Sequence, residues 1–109
     1  MNKANRVHDK ETSLHALHPK IVSLDDVLMS TAEANIFSTP SGIIARQPDN
    51  LYFCKNHVLI ADEYKCSDHQ YNKAMKQLKD YKMYLNDIFP NWQVVVRYVY
   101  GDNNIEVIR

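Results

Sequence analysis

No run of apolar residues in this chain approaches the roughly 18–20 that a membrane-spanning helix needs, and the opening stretch MNKANRVHDKETS is polar where a secretion signal carries an apolar segment. A soluble, cytoplasmic protein without a membrane partner is expected. Cysteine is scarce as well. Cys54 and Cys66 are the only two, they lack CxxC spacing, and both flank apolar stretches, where a free thiol behaves as a small buried hydrophobe. A zinc site joining them to His57 and His69 has suitable atom types but no known ligand spacing. Net charge is zero, with 13 basic and 13 acidic residues, so the whole-molecule field gives no general attraction to nucleic acid. At 109 residues the chain is also too short for two cores.

The charge that is present is unevenly spread. Lys65, Lys73, Lys76, Lys79 and Lys82 follow a region that holds Asp25, Asp26, Glu33, Asp49, Asp62 and Glu63. A basic face beside an acidic pocket suits a phosphate-cleaving metal site, although such lysines also serve simply as the solvated side of a helix.

In chain order, residues 1–22 read as a polar arm without sustained periodicity and carry His8, His15 and His18, and residues 23–109 read as one domain. Ser23-Leu24-Asp25-Asp26 resembles a capped helix start, and Leu24, Val27, Leu28 and Thr31 recur at helical spacing. A helix over 23–37 is predicted, stopped by Ser38-Thr39-Pro40-Ser41-Gly42. Strands are predicted over 42–46, 51–54 and 57–65 as three antiparallel neighbours. A second helix over 68–88, capped by Ser67 or Asp68, has Tyr71, Ala74, Met75, Leu78, Tyr81, Leu85 and Ile88 on one stripe. Residues 92–100 (WQVVVRYVY) form the strongest strand by propensity, and Gly101-Asp102-Asn103-Asn104 turns into a final strand over 105–109. The expected class is a mixed α/β or α+β sheet protein, with the third and fourth strands parallel across a right-handed helical crossover.

The organising stretch is 48–65, PDNLYFCKNHVLIADEYK. Strand alternation sends Glu63 and Lys65 to one face and Tyr64 to the other. Asp49 at the start of the preceding strand completes two carboxylates and an ammonium at one hairpin edge. Hard oxygen ligands of this kind hold Mg²⁺ or Mn²⁺ while leaving water bound, and a neighbouring lysine orients that water and stabilises a pentavalent phosphate. Asp62 falls on the opposite strand face unless a bulge exchanges it with Glu63.

Pro48-Asp49, thirteen intervening residues, then Glu63-x-Lys65 resembles the PD-(D/E)XK nuclease superfamily over about residues 23–100. Gln77-Leu78-Lys79-Asp80-Tyr81 is similar to the QxxxY signature that RecB-type exonucleases carry on the helix after the lysine. The resemblance implies a restriction-endonuclease-like core of helix, three strands, helix, strand. It implies Asp49, Glu63, Lys65 and Gln77 as catalytic residues, and Asp49 and Glu63 as metal ligands, joined by Glu33 from the preceding helix. Lys73, Lys76 and Tyr81 are then the expected DNA contacts, with Tyr81 also supporting the site. Size and motif resemble the archaeal Holliday-junction resolvases, which act as dimers; a homodimer built on an exposed strand over 92–100 or on the C-terminal hairpin is expected. The alternative is the same fold without catalysis, as a binding or assembly module.

Overall fold

The computed structural model describes residues 19–38, 44–65 and 70–108. Among the described residues there are seven strands and one α-helix: β1 (Val27–Ala32), β2 (Phe37–Ser38), β3 (Ile44–Arg46), β4 (Asn50–Cys54), β5 (Val58–Lys65), α1 (Tyr71–Ile88), β6 (Gln93–Tyr100) and β7 (Asn104–Ile108). Five strands form one mixed sheet in the order β1-β4-β5-β6-β7, while β2 and β3 pair separately as a two-stranded ribbon. Among the described strands only β5 and β6 run parallel, consistent with the helical crossover between them.

The β4–β5 hairpin turns through Lys55–His57, where Asn56 and His57 take positive φ. This register sets Asn50 against Asp62 and Leu51 against Ala61. The β6–β7 turn uses Gly101 at φ +56 and Asn103 at φ +66, the left-handed conformation that these residue types tolerate. In α1 the residues Ala74, Leu78, Tyr81 and Leu85 are buried, the centre of the expected stripe, whereas Tyr71 and Ile88 at its ends are exposed. The Phe89 N–H donates to the Leu85 carbonyl at 2.8 Å, and Pro90 follows.

The sheet buries both faces. On one, Leu51, Leu59, Ala61, Val94, Val96 and Tyr98 pack beneath α1. On the other, Tyr52, Cys54, Tyr64 and Val99 pack against Ile21 and Val22. Arg97 fastens this second layer: its guanidinium gives two 2.7 Å hydrogen bonds to Asp62 and a 2.6 Å bond to the Ile21 carbonyl. Ile21 and Val22, at the end of the stretch expected to be a polar arm, are buried in this second layer.

The helix predicted over 23–37 is a strand instead. Turn hydrogen bonds from the Asp26 and Val27 N–H groups to the Ser23 and Leu24 carbonyls begin like a helix, but the chain then extends and pairs antiparallel with β4. A helix here would have buried Leu24 and Leu28, and both are largely exposed. With β1 beside β4, the predicted strand over 42–46 cannot be the neighbour of β4; its portion Ile44–Arg46 pairs with β2. The core therefore departs from the expected helix, three strands, helix, strand order at its first element. Residues 92–100 are no exposed edge either, since β6 lies between β5 and β7 and most of its side chains are buried. Residues 1–18 with the three histidines, Thr39-Pro40-Ser41-Gly42 of the predicted stop, the Ser67 and Asp68 caps, Cys66 and His69 lie outside the described residues. Among the described residues no helix is long and apolar enough to cross a membrane.

Candidate active site

Strand phase decides which acids meet. Leu59, Ala61 and Glu63 alternate toward α1, while Ile60, Asp62 and Tyr64 face the other layer. Asp49 immediately precedes β4, and its N–H donates to the Asp62 carbonyl at 3.1 Å, which extends the β4–β5 ladder by one residue. One oxygen of its carboxyl, Oδ2, accepts the Tyr64 N–H at 2.7 Å. The Asp49 and Glu63 carboxyls are hydrogen-bonded to each other. An ionised carboxylate only accepts hydrogen bonds, so a contact between two carboxyls needs a proton on one of them.

The environment explains where that proton sits. Burial, then the hydrogen bond and negative charge of Asp49, push the Glu63 carboxyl up to about 9, against the opposing charge of Lys65 and the hydrogen bond from Tyr81. The Tyr81 hydroxyl donates to Glu63 Oε2 at 2.9 Å and also lies 3.2 Å from the Gln47 carbonyl. Burial and the neighbouring Glu63 raise the Tyr81 hydroxyl far above its ordinary value, so it stays a donor. Lys65, half-buried, follows Glu63 by two residues on the same face of β5.

Gln77 lies one turn before Tyr81 on α1, toward the helix end where Tyr71 meets Tyr98. Its Oε1 is buried with no hydrogen-bond partner. A buried acceptor left open is costly, about 1–3 kcal/mol, which makes it a ready partner for an ammonium or a water.

The other predicted residues divide. Lys73 and Lys76 are exposed on the first turns of α1, open to a ligand. Tyr81 is only 2% exposed and bonded to Glu63, so it serves the acids rather than a DNA surface. Glu33 is on no helix: it follows β1 at φ +54, its N–H donates to the Asp49 carbonyl at 2.9 Å, and its own carbonyl accepts from Gln47 Nε2 at 2.8 Å. Its backbone braces Asp49, but its exposed carboxyl makes no third acid with Asp49 and Glu63. Asp62 is buried and held by Arg97 across the sheet from Glu63, which removes it from the site and excludes the bulge that would exchange the two.

Among the described residues no group of three or more His, Cys, Asp or Glu gathers at one point. Magnesium does not ask for one, since it keeps several waters and binds through one or two carboxylates. The hard carboxylate oxygens of Asp49 and Glu63 fit such an ion, and these two residues would hold it. A separate groove of about 340 Å³ lies on the opposite face between Ile21, Val22, Asp26, Cys54 and Val58, away from both acids. Its Cys54 thiol is free and buried, as expected, and burial raises its pKa.

The sequence placed Tyr71 on the apolar stripe of the second helix, and Tyr98 and Tyr100 in a strand offered as an exposed dimer edge. Parallel pairing aligns Glu63 with Tyr98 and Lys65 with Tyr100, so an aromatic row runs beside the acid–lysine row. The two-residue spacing of Tyr98 and Tyr100 matched that of Glu63 and Lys65, and only the register of β5 against β6 was missing. Comparison with known proteins finds no matching family model, curated protein or solved structure.

Proposed function

We propose that this protein is a metal-dependent nuclease that hydrolyses DNA phosphodiester bonds. The observation that carries the proposal is the buried pair Asp49 and Glu63, oriented by the Tyr64 N–H and the Tyr81 hydroxyl, with Lys65 on the same strand face as Glu63. A proton relieves the repulsion of such a buried pair in the absence of metal, and a divalent cation can take over that role once both carboxyls are ionised. When bound, Mg²⁺ or Mn²⁺ lowers the pKa of a coordinated water and offsets charge on the phosphate.

The chain's own residues do the rest. Asp49 is aimed by the Tyr64 N–H, and Glu63 is kept from rotating by the Tyr81 hydroxyl. Lys65 orients the attacking water and supports the charge of the pentavalent phosphate, with the Gln77 carbonyl oxygen available to hold the ammonium. The water oxygen bonds to phosphorus as the bond to the leaving oxygen breaks; the water gives up a proton to solvent, and the leaving oxygen takes one from solvent to depart as a hydroxyl. Lys73 and Lys76 attract the backbone of the DNA. Dimerisation through β1 or β7, the two outer strands, would extend such a small enzyme across a branched substrate.

A second reading, a non-catalytic assembly module of the same fold, is favoured by β1: this outer strand exposes Leu28 and Met29 and carries no charge between Val27 and Ala32. The test is incubation with linear, nicked, single-stranded and four-way-junction DNA in Mg²⁺, Mn²⁺ or EDTA, beside Asp49→Ala and Lys65→Ala. Metal-dependent cleavage abolished by either substitution is expected. Cleavage in EDTA, or activity that survives both substitutions, overturns the mechanism.

A further inference from the structure

Tyr98 and Tyr100 stack on each other with ring centroids 4.9 Å apart and planes 18° apart. Tyr71, from the first turn of α1, meets Tyr98 edge-on at 5.5 Å and 79°, and its hydroxyl donates to Glu106 at 3.1 Å. The inner end of this row is sealed, because Tyr98 is 1% exposed, but Tyr100 is only partly buried and Tyr71 is 38% exposed. The row is therefore a ring stack rooted in the core and open at its outer end.

Its position relative to the acids gives it a use. Paired residues on neighbouring strands stand about 4.8 Å apart and project to the same face. Tyr100 is paired with Lys65 and Tyr98 with Glu63, so the open ring adjoins the ammonium and the sealed ring adjoins the acid pair. The exposed Lys73 and Lys76 stand on the first turns of α1, at the same end of the helix as Tyr71 but on other faces of it. A phosphate at Lys65 would carry its attached base toward the free face of Tyr100. Continuing a ring stack is how sequence-tolerant nucleic-acid sites hold unpaired bases, and a base inside a duplex has both faces covered already.

We propose that Tyr100, backed by Tyr98 and framed by Tyr71, is a stacking platform for an unpaired nucleobase next to the phosphate held at the acid pair. This rests on the nuclease reading for the identity of that phosphate. It narrows the substrate class to single strands and to duplexes with unpaired ends or branches, over closed duplex. Tyr100 is a specificity-determining residue, and the chemistry stays with Asp49, Glu63 and Lys65.

Binding and cleavage test the two claims separately. A single-stranded oligonucleotide carrying 2-aminopurine is titrated with the full chain in EDTA, where base stacking quenches its fluorescence and no metal is needed. Quenching is expected with wild type and with Tyr100→Phe, and affinity is expected to fall on the order of tenfold with Tyr100→Leu, which keeps apolar bulk without a π-face. Unquenched fluorescence with wild type, or equal quenching with Tyr100→Leu, overturns the platform. Cleavage is then compared on single-stranded, forked and blunt duplex DNA with Mg²⁺ or Mn²⁺. A preference for unpaired DNA of about tenfold that Tyr100→Leu removes and Tyr100→Phe retains supports the platform; metal-dependent cleavage that is equal on all three overturns it while leaving the nuclease standing. Quenching without cleavage by any metal has the reverse meaning, and sinks the nuclease while the platform survives as a binding site.

Discussion

The Tyr81 hydroxyl donates to Glu63 Oε2 at 2.9 Å, so a helix residue fixes the orientation of a strand carboxyl that is itself hydrogen-bonded to Asp49. The contact joins α1 to β5 where the apolar layer beneath the helix meets the two acids.

Tyr81→Phe tests that contact with little change in volume. The hydroxyl is one of the groups lowering the Glu63 pKa, so its loss shifts Glu63 further upward. The lost bond is expected to cost about 1 kcal/mol of stability in a urea titration. Cleavage should fall on the order of tenfold at neutral pH and recover partly at higher pH, as the ion displaces the more tightly held proton. A loss of activity that is constant across pH would mean that Tyr81 does not act through Glu63.

Metal affinity should rise steeply with pH. Binding an ion between Asp49 and Glu63 releases the proton held by a group pushed up to about 9, so affinity should gain about tenfold per pH unit below that value. Calorimetric titration with Mn²⁺ at two neutral-to-alkaline pH values one unit apart checks the slope. Metal-free stability moves the other way. Glu63 holds its proton more tightly folded than unfolded, so its contribution is fully present below 4.5 and is lost as pH rises through about 9. Thermal melts in EDTA should therefore fall across that window, and added Mn²⁺ should cancel the fall.

Glu63→Gln separates function from stability. An amide can donate to Asp49 as the protonated carboxyl does, yet it carries no charge to bind an ion. The variant should melt at a higher temperature than wild type in EDTA at alkaline pH, show no shift on adding Mn²⁺, and lack cleavage. A wild-type-sized Mn²⁺ shift in the variant would place the ion elsewhere.

How much of this was legible in the sequence follows from which signals are local. Residues 48–65 could be read because β5 is buried on both faces in the middle of the sheet, and alternation alone separates Glu63 and Lys65 from Asp62. The helix α1 was equally plain from Ala74, Leu78, Tyr81 and Leu85. β1 was not, because an outer strand with mostly exposed side chains need not alternate, and Leu24, Val27, Leu28 and Thr31 mimic a helical stripe by chance. A register shift between Val27 and Met29 blurs the pattern further. The Asp62–Arg97 pair and the Tyr100–Lys65 alignment depend on partners 35 residues apart, and neither is encoded in any short window.

Arg97 makes the last prediction, because it holds the layer opposite the site together. Its two bonds to Asp62 and one to the Ile21 carbonyl join β5, β6 and the segment entering the domain. Burial raises the Asp62 pKa, while the hydrogen bonds and charge of Arg97 oppose it. Arg97→Met leaves Asp62 buried beside an apolar side chain, and breaking a buried pair from one side costs about 3–5 kcal/mol. Arg97→Met with Asp62→Leu removes both charges and should recover most of that loss in urea denaturation, apart from the orphaned Ile21 carbonyl. Because Asp62 faces away from Glu63, the double variant should keep its Mn²⁺ affinity. A double variant as unstable as Arg97→Met would show that the Ile21 tether, rather than the buried charge pair, holds this layer in place.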